Sequence, residues 1–212
     1  MSAFDRAKLK KCAAPGCGET FYPRNTMQRT CFTPECAMAF AREKEDKKKR
    51  REFNKVTRER KEAIKTKPEL EKAAQSAFNA YIRERDRGRP CPTCGKPEEV
   101  VEIQQGWKTG GAWDCGHILS VGSNPQLRFY SLNAMRQCKS CNGGQKQAQR
   151  FGNDESISEA YEAAAGARWG PGHMERLRAD QVPRKYSKAQ LRRMPAIFRR
   201  KARQLVKRRA VK

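Results

Sequence analysis

Cys91-Pro92-Thr93-Cys94 and Cys138-Lys139-Ser140-Cys141-Asn142 are the stretches on which the reading of this chain turns. Two Cys-x2-Cys pairs can clamp one tetrahedral zinc. Between them, in residues 95–137, lie Trp113-Asp114-Cys115-Gly116-His117-Ile118 and then Asn133. Val100-Val101-Glu102-Ile103 and Ala112-Trp113-Asp114 read as the strands of a β-hairpin, joined through the turn-rich stretch from Gly106 to Gly111. Asn142 to Phe151, carrying Lys146 and Arg150, is expected to continue as a short helix. The expected core, residues 89–152, is therefore a small ββα unit built around a metal.

Working outward, residues 1–36 hold a second sulfur set. Cys12, Cys17, Cys31 and Cys36 are spaced C-x4-C-x13-C-x4-C, and Pro15-Gly16-Cys17-Gly18 and Pro34-Glu35-Cys36 supply turns that bring sulfurs together. This segment reads as a zinc-ribbon-like module. Eight of the nine cysteines thus fall into two quartets, two structural zinc sites, and Cys115 is left as a small packed residue. Residues 37–88 are expected to be helical. The first part, to Lys65, is almost all charge with opposite signs at i,i+4, a solvated strut or a DNA-flanking arm. Lys67-Pro68 breaks it. A second helix over about 69–87 follows, with Leu70, Ala73, Ala74, Ala77, Phe78, Tyr81 and Ile82 at amphipathic spacing and Gly88 as its stop. Residues 153–212 form a basic helical region, with helices expected at about 154–166, 171–180 and 187–210, the last capped by Ser187. The fold class is mainly helical α+β.

The charge balance is an argument about partners. Of 212 residues, 47 are Lys or Arg against 23 Asp or Glu, a net charge of +24. After Asp180 there is no acid, and 13 cations follow between 184 and 212. Within that tail Arg192, Arg193, Arg199, Arg200, Lys201 and Arg203, with Lys146, Arg150 and Arg128 nearer the core, are the expected nucleic-acid contacts, although an arginine such as Arg128 is also an ordinary surface residue. The chain is 37% hydrophobic with a mean hydropathy of −0.98. No apolar run approaches the roughly 20 residues needed to cross a bilayer. The first residues lack the apolar segment of an export signal. A membrane partner is not expected, and thiolates on zinc are expected rather than disulfides.

The chemistry that suits these residues is phosphodiester hydrolysis. A water must lose a proton, and charge developing on phosphoryl oxygens must be neutralised. A histidine near neutrality suits the first task, and a divalent cation the second. The chain has two histidines. His117 lies inside the zinc clamp and is the expected general base. His173, in Gly170-Pro171-Gly172-His173, is far from any ligand-like cluster. Mg²⁺ or Mn²⁺ takes oxygen ligands, and Asp114, Asn133 and Asn142 are the nearby oxygen donors. Asn142 reads equally well as a cap on the cysteine knuckle. Asp114 stands three residues before His117, on the opposite side of a regular strand. It either holds the cation, with Gly116 permitting a bulge, or orients His117.

The order Cys-x2-Cys-Gly, Gly-His-Ile and Asn-x4-Cys-x2-Cys-Asn resembles the HNH, or ββα-metal, endonucleases. Phe78-Asn79-Ala80-Tyr81-Ile82-Arg83-Glu84-Arg85-Asp86-Arg87, Pro90-Cys91, Trp113-Asp114, Gly116-His117, Pro125-Gln126-Leu127-Arg128-Phe129 and Gln137-Cys138 with Cys141-Asn142 resemble the NinG/Rap recombination proteins of lambdoid phages. Residues 95–111 are long for that pattern. The resemblance implies a metal-dependent, structure-selective DNA endonuclease acting on branched recombination intermediates, Holliday junctions and D-loops, encoded by a phage and working in the bacterial cytoplasm. Two matched cuts at a four-way junction make a symmetric dimer an expectation of that activity. A zinc-dependent nucleic-acid-binding protein without catalysis, a regulator or recombination mediator, is the alternative: it needs the eight cysteines and the basic tail but neither His117 nor Asn133.

Overall fold

The computed structural model describes residues 8–143 and 156–211. Lys146 and Arg150, with the helix expected to run on to Phe151, lie outside the described residues. The chain divides into two compact units, residues 1–65 and 66–212. The division falls inside the segment 37–88, just before Lys67-Pro68, where the charged helix is expected to end and the amphipathic one to begin.

In the first unit β1 (Lys10–Lys11) pairs antiparallel with β2 (Thr20–Phe21). The loop that follows returns to this hairpin, where the Cys31 N–H donates to Cys12 Sγ at 3.3 Å. Cys12, Ala14 and Phe21 form its small core. α1 (Pro34–Ile64) begins with Pro34 in its first turn, a position whose missing N–H costs the helix nothing. Its 31 residues, at 1.5 Å each, give a rod about 46 Å long, and none of them is buried within the unit. Ion pairs Glu43–Lys47 and Glu45–Lys49 support it at i,i+4.

The second unit is organised by α2 (Lys67–Arg85), which opens on a Thr66/Glu69 capping box. Its inner face, Leu70, Ala74, Ala77, Phe78 and Ile82, is buried. α7 (Lys188–Ala210) caps on Ser187, as its sequence predicts, and buries Leu191 and Phe198 against α2. Phe78 and Phe198 meet edge to face with ring centroids 5.2 Å apart.

The expected hairpin is corrected. Residues Glu98–Gln105 form α3, not a strand. Only Val101 and Gln105 of that segment are buried, and Ile103 is 83% exposed, so a strand there would have no face to cover. Arg136 fixes the helix from outside, donating to Glu98 at 2.6 Å while lying 3.9 Å over the Trp113 ring. The sheet is β3 (Trp113–His117) paired antiparallel with β4 (Ala134–Cys138) through five consecutive partners, from Trp113↔Cys138 to His117↔Ala134. α4 (Lys139–Asn142) follows at once. α5 (Ile157–Trp169) and α6 (His173–Ala179) add Tyr161, Ala165, Met174 and Leu177 to a cluster with Leu127 and Met135.

Opposite residues of a sheet share a face. Cys115 and His117 therefore look toward Phe78 and α2, whereas Asp114, Gly116, Met135 and Gln137 look toward α4 and α5. This two-sided cover is what presents the site.

Candidate functional site

The sulfur quartets form as their spacing predicts. In each, the four ligand atoms all lie within 4.8 Å of one another. Cys17 and Cys31 are 3.9 Å apart at sulfur, and so are Cys94 and Cys138. Four sulfurs about 2.3 Å from one zinc stand roughly 3.8 Å apart, so both sets fit that ion. Thr33 holds the Cys31 thiol down at about 6, while Cys17 and Cys31 push Cys36 up to about 12. A bound cation removes that competition for protons. Cys115 stands apart, buried between α2 and β4, and burial raises its thiol to about 12. It is a packed, inert residue.

His117 ends β3, half-buried, its ring stacked 5.8 Å from Phe78. Nε2 lies 3.0 Å from the carbonyl oxygen of Arg128. A carbonyl only accepts, so Nε2 carries the proton and Nδ1 keeps its lone pair in the neutral ring. Burial pushes the His117 pKa below its ordinary value, outweighing the stabilising Arg128 carbonyl. The ring is thus a neutral base at pH 7. His173 is 3% exposed, with Nε2 on the Leu132 carbonyl at 3.0 Å and its ring 4.7 Å from Trp169. It is a structural histidine.

Both ends of the Asn133 amide are engaged by the backbone of Leu119. Asn133 is fully buried, its Oδ1 accepts the Leu119 N–H at 2.9 Å, and its Nδ2 donates to the Leu119 carbonyl at 3.0 Å. Asn133 therefore fastens the loop 118–133 across its own neck, and Arg85 holds the same loop at the Ser131 carbonyl. Asn133→Ala leaves both Leu119 groups without partners. It should cost roughly 2–4 kcal/mol of stability, measured by urea denaturation, with no change in zinc content.

Asp114 does not share a face with His117. The register of β3 shows no bulge, so the two side chains occupy opposite faces. The partner of Asp114 is Asn142, whose Nδ2 lies 3.3 Å from Asp114 Oδ2. Gly116 makes no bulge, and its missing side chain serves packing instead. A Cβ there would stand 2.4 Å from Gln137 Oε1, 2.9 Å from the Tyr161 hydroxyl and 3.3 Å from Asn142 Oδ1. The missing side chain leaves room for Tyr161, which accepts the Met135 N–H at 3.0 Å and donates to the Gly116 carbonyl at 2.8 Å. Asp114, Asn142 and Gln137 thus gather oxygens on the face toward α4. Among the described residues, the groups of three or more Cys, His, Asp or Glu ligands are the two cysteine quartets. A hard cation near Gly116 would accordingly have one carboxylate and neutral amide oxygens.

Sequence reasoning missed Tyr161, Gln137 and Asp86. Burial alone would raise the Asp86 carboxyl, but hydrogen bonds from Arg85 at 2.6 and 2.7 Å and from Arg168 at 2.5 Å hold it below the usual range. Asp86 also accepts the Arg136 N–H at 3.1 Å, tying α2 to the free edge of β4. The long-range partners of these residues leave no local pattern.

Arg192, Arg193, Arg199, Arg200, Lys201 and Arg203 are all exposed on α7, and Lys201 reaches over the Tyr81 ring of α2. Arg128 is half-buried at the turn that holds His117. No helix among the described residues is long and apolar enough to cross a membrane.

The family described as "Bacteriophage Lambda NinG protein" matches residues 4–208. Curated relatives named "Protein ninG" include that of Salmonella phage P22, 32% identical over 151 residues, 65% of this chain and 68% of the relative. That of Escherichia phage lambda is 33% identical over 147 residues, 63% of this chain and 66% of the relative. That of Escherichia phage 933W is 42% identical over 83 residues, covering 39% and 36%. No solved structure matches the chain.

Proposed function

The chain belongs to the NinG family of lambdoid phages, and from that premise we propose that it is a divalent-metal-dependent DNA endonuclease of the HNH type, cutting branched recombination intermediates such as Holliday junctions and D-loops. The observation that carries this reading is the state of His117. Its Nε2–H is fixed on the Arg128 carbonyl, and burial keeps the ring neutral. Nδ1 is left to take a proton from water.

In this reading Nδ1 of His117 accepts the proton of the attacking water, and the Arg128 carbonyl stabilises the imidazolium that forms. Mg²⁺ or Mn²⁺, when bound, supplies Lewis-acid neutralisation of the phosphoryl oxygens and of the leaving 3′ oxygen. Asp114 and Asn142, with Gln137 beside them, are the oxygen donors that would hold it, on the sheet face opposite His117. Asn133 and Arg85 act at one remove by holding the loop that carries Arg128 in place. Zinc in the Cys91, Cys94, Cys138 and Cys141 quartet fixes the frame. The basic face of α7 and the charged rod α1 engage flanking duplex. A symmetric dimer would deliver two matched cuts.

The presence of one carboxylate at the proposed cation site gives the non-catalytic zinc-binding reading its footing. The pH dependence of cleavage separates the two. The proton on Nδ1 blocks the base, and its pKa lies below the ordinary value of about 6.5. Cleavage should therefore rise with unit slope at acid pH, level off before neutrality, and show no such limb in His117→Gln. A protein that shifts junction DNA yet cuts nothing from pH 5 to 9 with either cation is a binder.

A further inference from the structure

α2 buries one face and turns Lys72, Gln75, Ser76, Asn79 and Arg83 outward, at helical spacings of i, i+3, i+4, i+7 and i+11. With Arg128 these side chains line a cavity of about 460 Å³. Arg128 is the residue whose carbonyl holds the His117 ring, so one wall of the cavity and the clamp on the proposed base are the same residue.

The charge in this groove is unbalanced. Arg85, Arg87, Arg136, Arg168, Arg178, Arg184 and Arg209 each meet a carboxylate in the second unit. Arg83 and Arg128 are half-buried and have no side-chain hydrogen bond or ion pair among the described residues. The one acid on the rim, Glu71, lies 4.0 Å from Lys67. Two guanidinium forks kept partly from water without a counter-charge suit a bidentate oxyanion. Beside them, Gln75 Nε2 donates to Asn79 Oδ1 at 2.7 Å, which leaves the Asn79 amide N–H groups as further donors.

We propose that this groove seats a backbone phosphodiester of the DNA strand that passes His117, with Arg83 and Arg128 as the phosphate-binding pair and Lys72 and Asn79 beside them. The proposal rests on the nuclease reading and supplies it with a substrate track along α2. The groove would fix where the strand lies relative to the base, a task separate from proton transfer.

The test measures affinity for an uncut four-way junction without divalent cation, by fluorescence anisotropy across a salt series. Each lost phosphate contact lowers the slope of log K against log salt by about 0.9. Arg83→Gln combined with Arg128→Gln should lower it by about 1 to 2 and weaken binding, with the helical circular dichroism unchanged. Arg178→Gln, the loss of one charge from an exposed ion pair, should leave the slope alone. Arg83→Lys should restore part of the slope. A photocrosslinking p-benzoylphenylalanine at Ser76, an exposed groove position, should label the DNA strand. Unchanged slope and affinity in the double variant, or no crosslink from Ser76, overturns the groove whatever the cleavage activity. No cutting of the junction by the wild-type protein with either cation overturns the nuclease reading while leaving the salt slopes to judge the groove.

Discussion

His117→Ala should lower the rate of DNA cleavage by a factor of about 10²–10⁴, the usual contribution of a positioned general base, while leaving junction binding intact. The argument is geometric first. The ring ends a strand whose five-residue register is fully paired, stacks on Phe78, and is fixed through Nε2 by a carbonyl that can only accept. Its orientation and tautomer are therefore set before substrate arrives. Burial then disfavours the imidazolium. The folded state correspondingly binds fewer protons at this residue than the unfolded chain in the window just below the ordinary pKa. Stability here is present above that window and declines as pH falls through it. Single-turnover cleavage and equilibrium binding, measured on the same preparation, separate loss of chemistry from loss of affinity. Equal losses in both would mean that His117 supports structure alone.

Losing the second zinc quartet should be more damaging to the fold than any core truncation. Cys91 and Cys94 precede α3, while Cys138 and Cys141 flank the junction of β4 with α4. One ion held there would close a loop that contains α3, β3, β4 and the whole of the His117 turn. Structural zinc contributes roughly 10–16 kcal/mol in small metal-folded peptides, against a total stability of about 5–15 kcal/mol for an ordinary domain. Cys138→Ser should therefore abolish the cooperative unfolding transition of residues 66–212. Elemental analysis should show zinc falling from two equivalents to one, because the Cys12, Cys17, Cys31 and Cys36 quartet lies in the other unit. A variant that keeps the wild-type melting temperature with one zinc fewer would show the frame to be self-sufficient.

How much was legible in the sequence follows from how local each signal is. The cysteine quartets could be read because metal ligation depends on residue type and spacing. The inward face of α2 and the Ser187 cap of α7 could be read because helical periodicity and capping are written within a few residues. Val100 to Ile103 was misleading: its β-branched residues favour a strand, but the segment follows Pro97, opens with Glu98 and Glu99, and is held by Arg136 from 38 residues away. Gly116 suggested a bend because glycine permits one. Its actual reason is the hydroxyl of Tyr161, 45 residues further along. Asn133 was found by motif, but its hold on the backbone left no local signal. Its side chain bonds the backbone of Leu119, 14 residues earlier, across the neck of the loop. Motif order identifies which residues matter, whereas their division of labour depends on contacts that only the folded chain makes.

The central claim, metal-dependent cutting of branched DNA, is tested most directly by incubating the purified zinc-loaded protein with a labelled four-way junction and its matched linear duplex, each with Mg²⁺ or Mn²⁺ and with chelator. The junction should be cleaved near its branch point with a divalent cation, the duplex little, and neither without the cation. Binding of both DNAs with no cleavage of either, under either cation, would contradict that claim and leave a zinc-stabilised nucleic-acid-binding protein.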